Sequence, residues 1–278
     1  MGRWDIRERE KYNDTIKKVE SQNQIRKRLD LKDANEPFPK LPNPLKTAPR
    51  IAMYKPYTSS MDEGWTRLVF DNHQIPFSSL SNTDIRANRL NYDVIVLASD
   101  NESTIINGLS PSRYPDEFAG GIGTEGAANL KKFVENGGRL VCLAASCGMV
   151  IKQFGLPIKN VLDGLPRTEF YNPGSIVQLD LNRQHRIASG YAETTPAYFI
   201  NSAAFEVTDS AKVRIVASYA RENTLLSGWM LGTDRMAGKA ALVETDHGKG
   251  HITLFAFRPQ HRGQTWATFR LFFNALEK

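Results

Sequence analysis

Short apolar runs alternate with longer amphipathic segments from residue 50 onward. The apolar runs predict buried strands at 50–54, 75–80, 92–99 and 139–145, and helical spacing predicts helices at 62–72, 125–135 and 264–276. This alternation predicts an α/β fold with a doubly wound, mainly parallel sheet. After residue 155 strand-like runs follow one another with short polar connections, at 174–181, 196–207, 213–220, 225–231, 240–244 and 251–257. They predict a β-rich C-terminal extension of the same sheet.

The first 49 residues have a different character. Residues 1–33 are charged with a weak apolar stripe, which predicts a helical tail. Residues 34–49 hold five prolines and predict an extended linker. The α/β domain is therefore expected to span residues 50–278.

Charge is distributed unevenly along the chain. The net charge is +6, of which +5 belongs to residues 1–50 and +1 to the remainder. Because the domain is nearly neutral, no nucleic-acid-binding surface is predicted on it. The basic run 26–28 in the tail leaves nucleic-acid binding by the tail as an alternative. No apolar run is long enough to predict a membrane span, and the charged first residues do not predict a secretory signal. Localisation is left open.

The central stretch is residues 137–155, GGRLVCLAASCGMVIKQFG, a buried strand that turns sharply into a helix. Such a corner is where α/β enzymes hold a nucleophile. The pattern small–x–nucleophile–x–Gly places Ser146 in the nucleophile position, followed by Gly148. A shift of one residue makes Cys147 the nucleophile, but Met149 then stands where glycine is needed. Small residues that only pack a tight turn are the structural alternative.

The run Phe-Arg-Pro-Gln at 257–260 carries a resemblance to the class I glutamine amidotransferase-like fold. In that family the corresponding strand ends in Phe-His-Pro-Glu, whose histidine and glutamate complete a catalytic triad. Here Arg258 replaces the histidine and Gln260 the glutamate. Arginine does not release a proton near neutral pH, and glutamine carries no charge to stabilise an imidazolium. No residue is therefore expected to be catalytic.

More closely, the chain is similar to the amidotransferase-like domain at the C-terminal end of bacterial zinc carboxypeptidases (carboxypeptidase A-like). The matching stretches are 50–67, 92–99, 120–141, 153–161, 225–232 and 255–276. The resemblance implies a non-catalytic accessory domain, a zinc carboxypeptidase catalytic domain as its fused or separate partner, and secreted or periplasmic relatives. The chain would then be a fragment or a stand-alone copy. None of its five histidines begins the zinc-binding motif His-x-x-Glu, so neither a metal nor a cofactor is expected.

Two hypotheses for the corner follow. In the first, Ser146, Cys147, Gly148, Arg258 and Gln260 form either a hydrogen-bonded plug or a pocket for a small carboxylate such as a peptide C-terminus. In the second, the protein is a PfpI-like cysteine hydrolase or glyoxalase, with Asp62 or Glu63 tuning the Cys147 thiolate.

Other polar or aromatic positions are predicted to be structural. These are His185, the pair His247 and His251, the glycine-rich run 120–123 and Trp229. The glycines before a helix could also cradle an anion.

Overall fold

The computed structural model describes residues 41–58 and 60–277. Its strands are β1 (Ile51–Tyr54), β2 (Ser78–Leu80), β3 (Val94–Leu97), β4 (Arg139–Leu143), β5 (Ile158–Asn160), β6 (Ser175–Leu181), β7 (Thr194–Phe199), β8 (Phe205–Val207), β9 (Val213–Tyr219), β10 (Leu225–Gly228), β11 (Ala240–His247) and β12 (Gly250–Phe255). Its α-helices are α1 (Met61–Asn72), α2 (Asn82–Arg86), α3 (Glu102–Ile106), α4 (Gly123–Glu135), α5 (Ser146–Phe154) and α6 (Trp266–Leu276). Short 3-10 turns lie at Arg186–Ala188, Thr233–Arg235 and His261–Gly263.

All twelve of these strands belong to one mixed sheet. Five of them are parallel, in the order β12-β4-β3-β1-β2. The hairpin partner β11 runs antiparallel to β12, and β9, β6, β7 and β10 continue the sheet with antiparallel pairing. The α/β class and the β-rich C-terminal extension are confirmed.

The sheet separates two hydrophobic cores. On one face Val94, Val96 and Val141 pack with apolar residues of α1 and α6. On the other face Ile95 and Leu140 pack with α4 and α5. Successive residues of one strand face opposite sides, so a strand covered on both sides is apolar throughout, as the sequence shows.

The strand predicted at 196–207 is wrong as a single element. β7 ends at Phe199 and β8 begins at Phe205. Between them Asn201 adopts a φ of 43°, and the N–H of Ile200 donates to the hydroxyl of Ser202. The left-handed residue interrupts the strand, and the carbonyls of Ile200 and Asn201 accept from the side chain of Arg258.

Residues 41–49 are the described part of the predicted linker, and they contain neither helix nor strand. They lie against the domain, because Leu41 N–H donates to the carbonyl of Asn72 at 2.7 Å and Thr47 N–H donates to the Glu277 carboxylate at 2.9 Å. The predicted tail 1–33 and linker residues 34–40 fall outside the described residues.

Candidate functional site

The strand-to-helix corner lies at Ala144. This residue directly follows β4 and has a φ of 48°, although it is not glycine. Its N–H donates to the carbonyl of Phe255 on β12 at 2.8 Å, and its carbonyl accepts from the N–H of Cys147 at 3.1 Å. A strained left-handed residue between a buried strand and a helix is the backbone geometry of a nucleophile elbow. The elbow position therefore holds a methyl group.

The predicted place of Ser146 at the corner needs correction. Ser146 is fully buried in the first turn of α5. Its hydroxyl accepts the N–H of Leu143 at 3.0 Å and can donate to the carbonyl of Leu143 or of Leu97. Ala144, Ser146 and Gly148 are all small, so the residue pattern fits two registers, and only the backbone angle distinguishes them.

Cys147 is also buried inside α5. Its thiol lies 3.2 Å from the carbonyl of Phe255 and 3.4 Å from that of Cys142. Burial raises the pKa of the Cys147 thiol well above its ordinary value, which disfavours the thiolate. Gly148 lies on the exposed side of α5 and has no atom within 4 Å of the place where a Cβ would stand.

Arg258 makes several side-chain hydrogen bonds near the corner. Its Nε donates to Asp62 at 2.8 Å, its Nη1 to the carbonyls of Ile200 and Asn201, and its Nη2 to the Ser99 hydroxyl at 3.0 Å. The side chain is 13% exposed. These contacts use four of the five N–H groups of the guanidinium.

Ser99 links this arginine to the corner. Its hydroxyl oxygen also accepts the N–H of Ala145 at 3.4 Å. In an elbow enzyme the N–H of the residue after the nucleophile helps to bind the substrate oxyanion. Here that N–H donates to the Ser99 hydroxyl, which also accepts from Arg258. This arrangement differs from the predicted plug, which joined Arg258 and Gln260 at Ser146, and the choice between a plug and a carboxylate pocket stays a prediction.

Gln260 has other partners than the Arg258–Ser99 pair. It is fully buried, and its Nε2 donates to the Thr66 hydroxyl at 3.1 Å. Thr66 in turn donates to the carbonyl of Asp62 at 2.7 Å. Gln260 and Arg258 thus both fasten the first turns of α1 to the segment after β12.

The acids proposed to tune Cys147 have other partners. Asp62 pairs with Arg258, and Glu63 pairs with Arg67 at 2.6 Å. Both lie in the first turn of α1, where the helix dipole favours negative charge. The hydrolase hypothesis therefore lacks both an accessible thiol and the arrangement that would activate it.

The remaining sequence candidates have structural contacts. His185 lies 3.2 Å from Glu244, His247 lies 3.5 Å from Glu135, and His251 lies 2.7 Å from Asp246. In the run 120–123, the backbone of Gly121 approaches the carbonyl of Ile105 so closely that a Cβ would stand 2.3 Å from its oxygen. Trp229 is half exposed beside the ring of Tyr171.

The described part of the chain shows neither a metal cluster nor a membrane helix. Residues 41–58 and 60–277 contain no group of three or more His, Cys, Asp or Glu side chains that could hold a metal ion. Within the same residues, none of the helices combines the length and the apolar character that crossing a bilayer requires.

The sequence patterns do not identify Ala144 or Ser99. Ser99 ends the apolar run 92–99, at the edge where the parallel strands finish, and polar residues at that edge are the ones that meet above a doubly wound sheet. This rule is the sequence signal from which Ser99 could be predicted. An alanine gives no such signal, because its role here depends on its backbone angle.

Comparison with solved structures shows the fold. A cytoplasmic protein of Salmonella typhimurium, STM3548, matches 82% of this chain and 97% of its own with a TM-score of 0.51 and 14% identity. A GMP synthase-like protein from Thermoplasma acidophilum matches 83% and 93% with a TM-score of 0.51 and 11% identity. The fold is amidotransferase-like. This confirms the predicted fold class, a flavodoxin-like sheet with helices on both faces.

A ThuA-like protein from Bacteroides uniformis is also similar, with a TM-score of 0.48, 13% identity and coverage of 87% of this chain and 94% of its own. No protein-family model matches the chain. No curated protein matches it at a significant level. At these identities the solved structures establish architecture alone.

Proposed function

We propose that this domain is a non-catalytic amidotransferase-like module that acts by contact, as an accessory domain of a zinc carboxypeptidase. The observation that carries the non-catalytic part is the filled corner. A methyl group stands at the elbow, and the Arg258–Ser99 pair occupies the oxyanion position. A nucleophile, a base and an oxyanion hole are the three parts that acyl transfer at an elbow requires. Among the described residues, the corner presents in their place the methyl group of Ala144, the guanidinium of Arg258 and an Ala145 N–H that already donates to Ser99.

The carboxypeptidase partner is supported by the sequence resemblance of residues 50–278. Its role would be to dock the catalytic domain or to shape the access of substrate to it. We assign the contact to an exposed apolar patch formed by Tyr171, Leu226, Trp229 and Leu231. Trp229 lies 5.8 Å from Tyr171, ring centre to ring centre, and the Arg167 guanidinium lies 5.5 Å from the centre of the Tyr171 ring. Aromatic residues and arginine are enriched where protein interfaces concentrate their binding energy.

Thiol labelling tests the non-catalytic part. Iodoacetamide, followed by mass spectrometry, is expected to leave Cys147 unmodified in the folded protein and to modify both Cys142 and Cys147 after unfolding. Stoichiometric labelling of folded Cys147 would return the cysteine hydrolase as the better hypothesis.

Binding to a purified carboxypeptidase A-like catalytic domain tests the partner. Titration calorimetry with the intact chain is expected to show binding that Trp229→Ala weakens at least tenfold. Trp266→Ala is the matched control, because Trp266 is equally exposed at 55% against 54% and lies on a different surface, beside His73 and Phe269. No heat with the unmodified chain, or equal loss in both variants, contradicts the docking role. If Cys147 stays unmodified but no binding to the carboxypeptidase domain is measured, the domain would be non-catalytic and would have a different partner.

A further inference from the structure

A cavity of about 620 Å³ lies along one face of α6. The helix residues that line it follow one another at helical spacing and so share that face, beginning with Trp266, Phe269, Arg270 and Phe273. The other walls come from the described part of the linker, the residue after α1 and the turn after β6. All of these elements pack on the same side of the sheet, because apolar residues from each of them belong to one hydrophobic core.

The wall of this cavity nearest the start of α6 is aromatic. The rings of Trp266 and Phe269 are stacked with their centres 5.4 Å apart, and the ring of His73 lies 4.8 Å from that of Phe273. Phe269 and Phe273 are buried, whereas Trp266 is 55% exposed. A flat apolar group that stacked against Trp266 would therefore remove apolar surface from water.

Charge around the cavity is mainly positive. The lining residues include three lysine or arginine side chains and one carboxylate: Lys46, Arg186, Arg270 and Glu277. Arg186 pairs with Glu244 and donates to two carbonyls at the end of α6, while Glu277 accepts backbone N–H groups of the linker. Lys46 and Arg270 form no ion pair among the described residues. Two positive charges are thus left without a balancing anion.

Arg270 is the cation beside the aromatic wall. It is exposed, four residues after Trp266 and three before Phe273, so it neighbours both on the helix surface. Its Nη1 donates to the carbonyl of Gly190 at 3.2 Å, and Gly190 follows the lining residue Ser189 in the chain. This bond uses one of the five N–H groups of the guanidinium. The others have no partner among the described residues and are available to a ligand.

We propose that this cavity binds an aromatic carboxylate, with the ring of the ligand against Trp266 and its carboxylate on Arg270. Concave sites with apolar walls and a few polar groups are the usual form of small-molecule sites. Arginine binds carboxylates through charge-assisted hydrogen bonds, and Lys46 adds a second positive charge. The cavity shares no residue with the corner at Ala144 or with the exposed apolar patch, so the proposal does not depend on the proposed function.

Binding of three probes to the intact chain tests the ligand class. They are 2-naphthoate, 2-naphthalenemethanol, which has the ring without the charge, and acetate, which has the charge without the ring. Titrations followed by the NMR signals of each probe are expected to give a Kd of about 1 mM or lower for 2-naphthoate. The other two should bind about tenfold more weakly or less, because each lacks one of the two interactions. The proposal is overturned if either of them binds as tightly as 2-naphthoate, or if 2-naphthoate does not bind.

Variants locate the site. Arg270→Gln is expected to weaken 2-naphthoate about tenfold and to leave 2-naphthalenemethanol unchanged. Arg183→Gln is the control, since Arg183 is also exposed but does not line the cavity. Trp266→Ala should weaken both aromatic probes about fivefold or more, whereas Trp229→Ala, at a residue 54% exposed, should change neither. All four changes are at exposed side chains, and unfolding curves verify that the variants fold. Equal responses within either pair of variants would also overturn the proposal.

Discussion

Two arginines mark the two ends of the parallel strands, and their surroundings differ in kind. Arg258, after the end of β12, makes four hydrogen bonds to a carboxylate, a hydroxyl and two carbonyls. Arg139, at the start of β4, is more deeply buried, and its Nε and Nη1, which carry three N–H groups, have no partner among the described residues. One guanidinium is held by four hydrogen bonds, and the other is buried with two of its nitrogen atoms unpartnered among the described residues.

The two arginines also differ in their position relative to the usual ligand site of the fold. Doubly wound folds bind ligands beyond the carboxyl ends of their strands, and that is where the corner stands. In this chain Arg258 has hydrogen-bond partners at that edge, although the Oε1 of Gln260 and the Nδ1 of His261 are buried there without one. At the amino ends of the strands, the Nε and Nη1 of Arg139 are buried without a partner among the described residues. Pairing is therefore incomplete at both ends, and at the amino ends the unpartnered group is an arginine, which stays charged.

The largest expected effect comes from removing Arg258. Arg258→Met leaves the Asp62 carboxylate and the Ser99 hydroxyl without their partner, and we expect it to lower the free energy of unfolding by about 3–5 kcal/mol. Arg258→Lys should recover little of this, because an ammonium does not reproduce the geometry of the planar fork. Denaturant unfolding measures both.

The control for that comparison is Arg235→Met. Arg235 pairs with Glu169 at 2.8 Å, but both side chains are nearly half exposed. Its loss should cost about 0.5 kcal/mol or less. If the two methionine variants are equally stable, Arg258 does not hold the corner closed.

The next largest effect is expected from acid, which should weaken the ion pairs around Glu244. Glu244 is buried, and although burial alone would raise its pKa, hydrogen bonding and charge from His185, Arg186 and Arg214 hold the pKa at about 2, below the ordinary 4.5. A carboxyl whose pKa is depressed in the folded state stabilises above its unfolded pKa, and this contribution disappears as the pH falls toward the folded value. We expect a loss of about 2–3 kcal/mol between pH 5 and pH 2 from this group.

Unfolding measured across that pH range tests the assignment. Glu244→Gln should be less stable at pH 7 and should lose less stability on acidification. Asp246→Asn is the matched comparison on the same strand. Its pKa is also held at about 2, chiefly by its hydrogen bond to Arg214, but its side chain is 56% exposed, so solvent screens the contribution. Parallel pH curves for the unmodified chain and Glu244→Gln would refute the role of Glu244.

Removing Arg139 should have the opposite sign to removing Arg258. Arg139→Met replaces a buried charge that has two nitrogen atoms unpartnered among the described residues with an apolar chain of similar length. We expect a gain of about 1 kcal/mol in the free energy of unfolding. A loss of about 2 kcal/mol or more would mean that Asp93, Glu244 or Glu277 satisfies the guanidinium, and the contrast between the two arginines would fail.

The sequence predicts the fold well because its signals are local and strong. Apolar runs and helical spacing locate β1, β3, β4 and the long helices, and the resemblance at 257–260 finds Arg258. These signals do not show which side chains form hydrogen bonds or ion pairs with one another. The break at Asn201, which supplies two carbonyls to Arg258, lies inside a segment whose composition predicts a continuous strand. The sequence likewise does not predict that two nitrogen atoms of Arg139 lack a hydrogen-bond partner among the described residues, because this depends on the neighbours of Arg139 in the fold.

The smallest expected effect concerns the corner itself. An alanine with a φ of 48° carries strain of about 1 kcal/mol, which glycine does not have, whereas glycine gains freedom in the unfolded chain. Ala144→Gly should therefore change the free energy of unfolding by about 0.5 kcal/mol or less. Ala52→Gly is the control, because Ala52 is a buried strand residue on β1. It should cost about 1 kcal/mol, since a strand residue gains nothing from the left-handed conformation that glycine allows. Equal costs for the two glycine variants would show that the corner is not at Ala144, and the elbow would have to be sought again at Ser146 or Cys147.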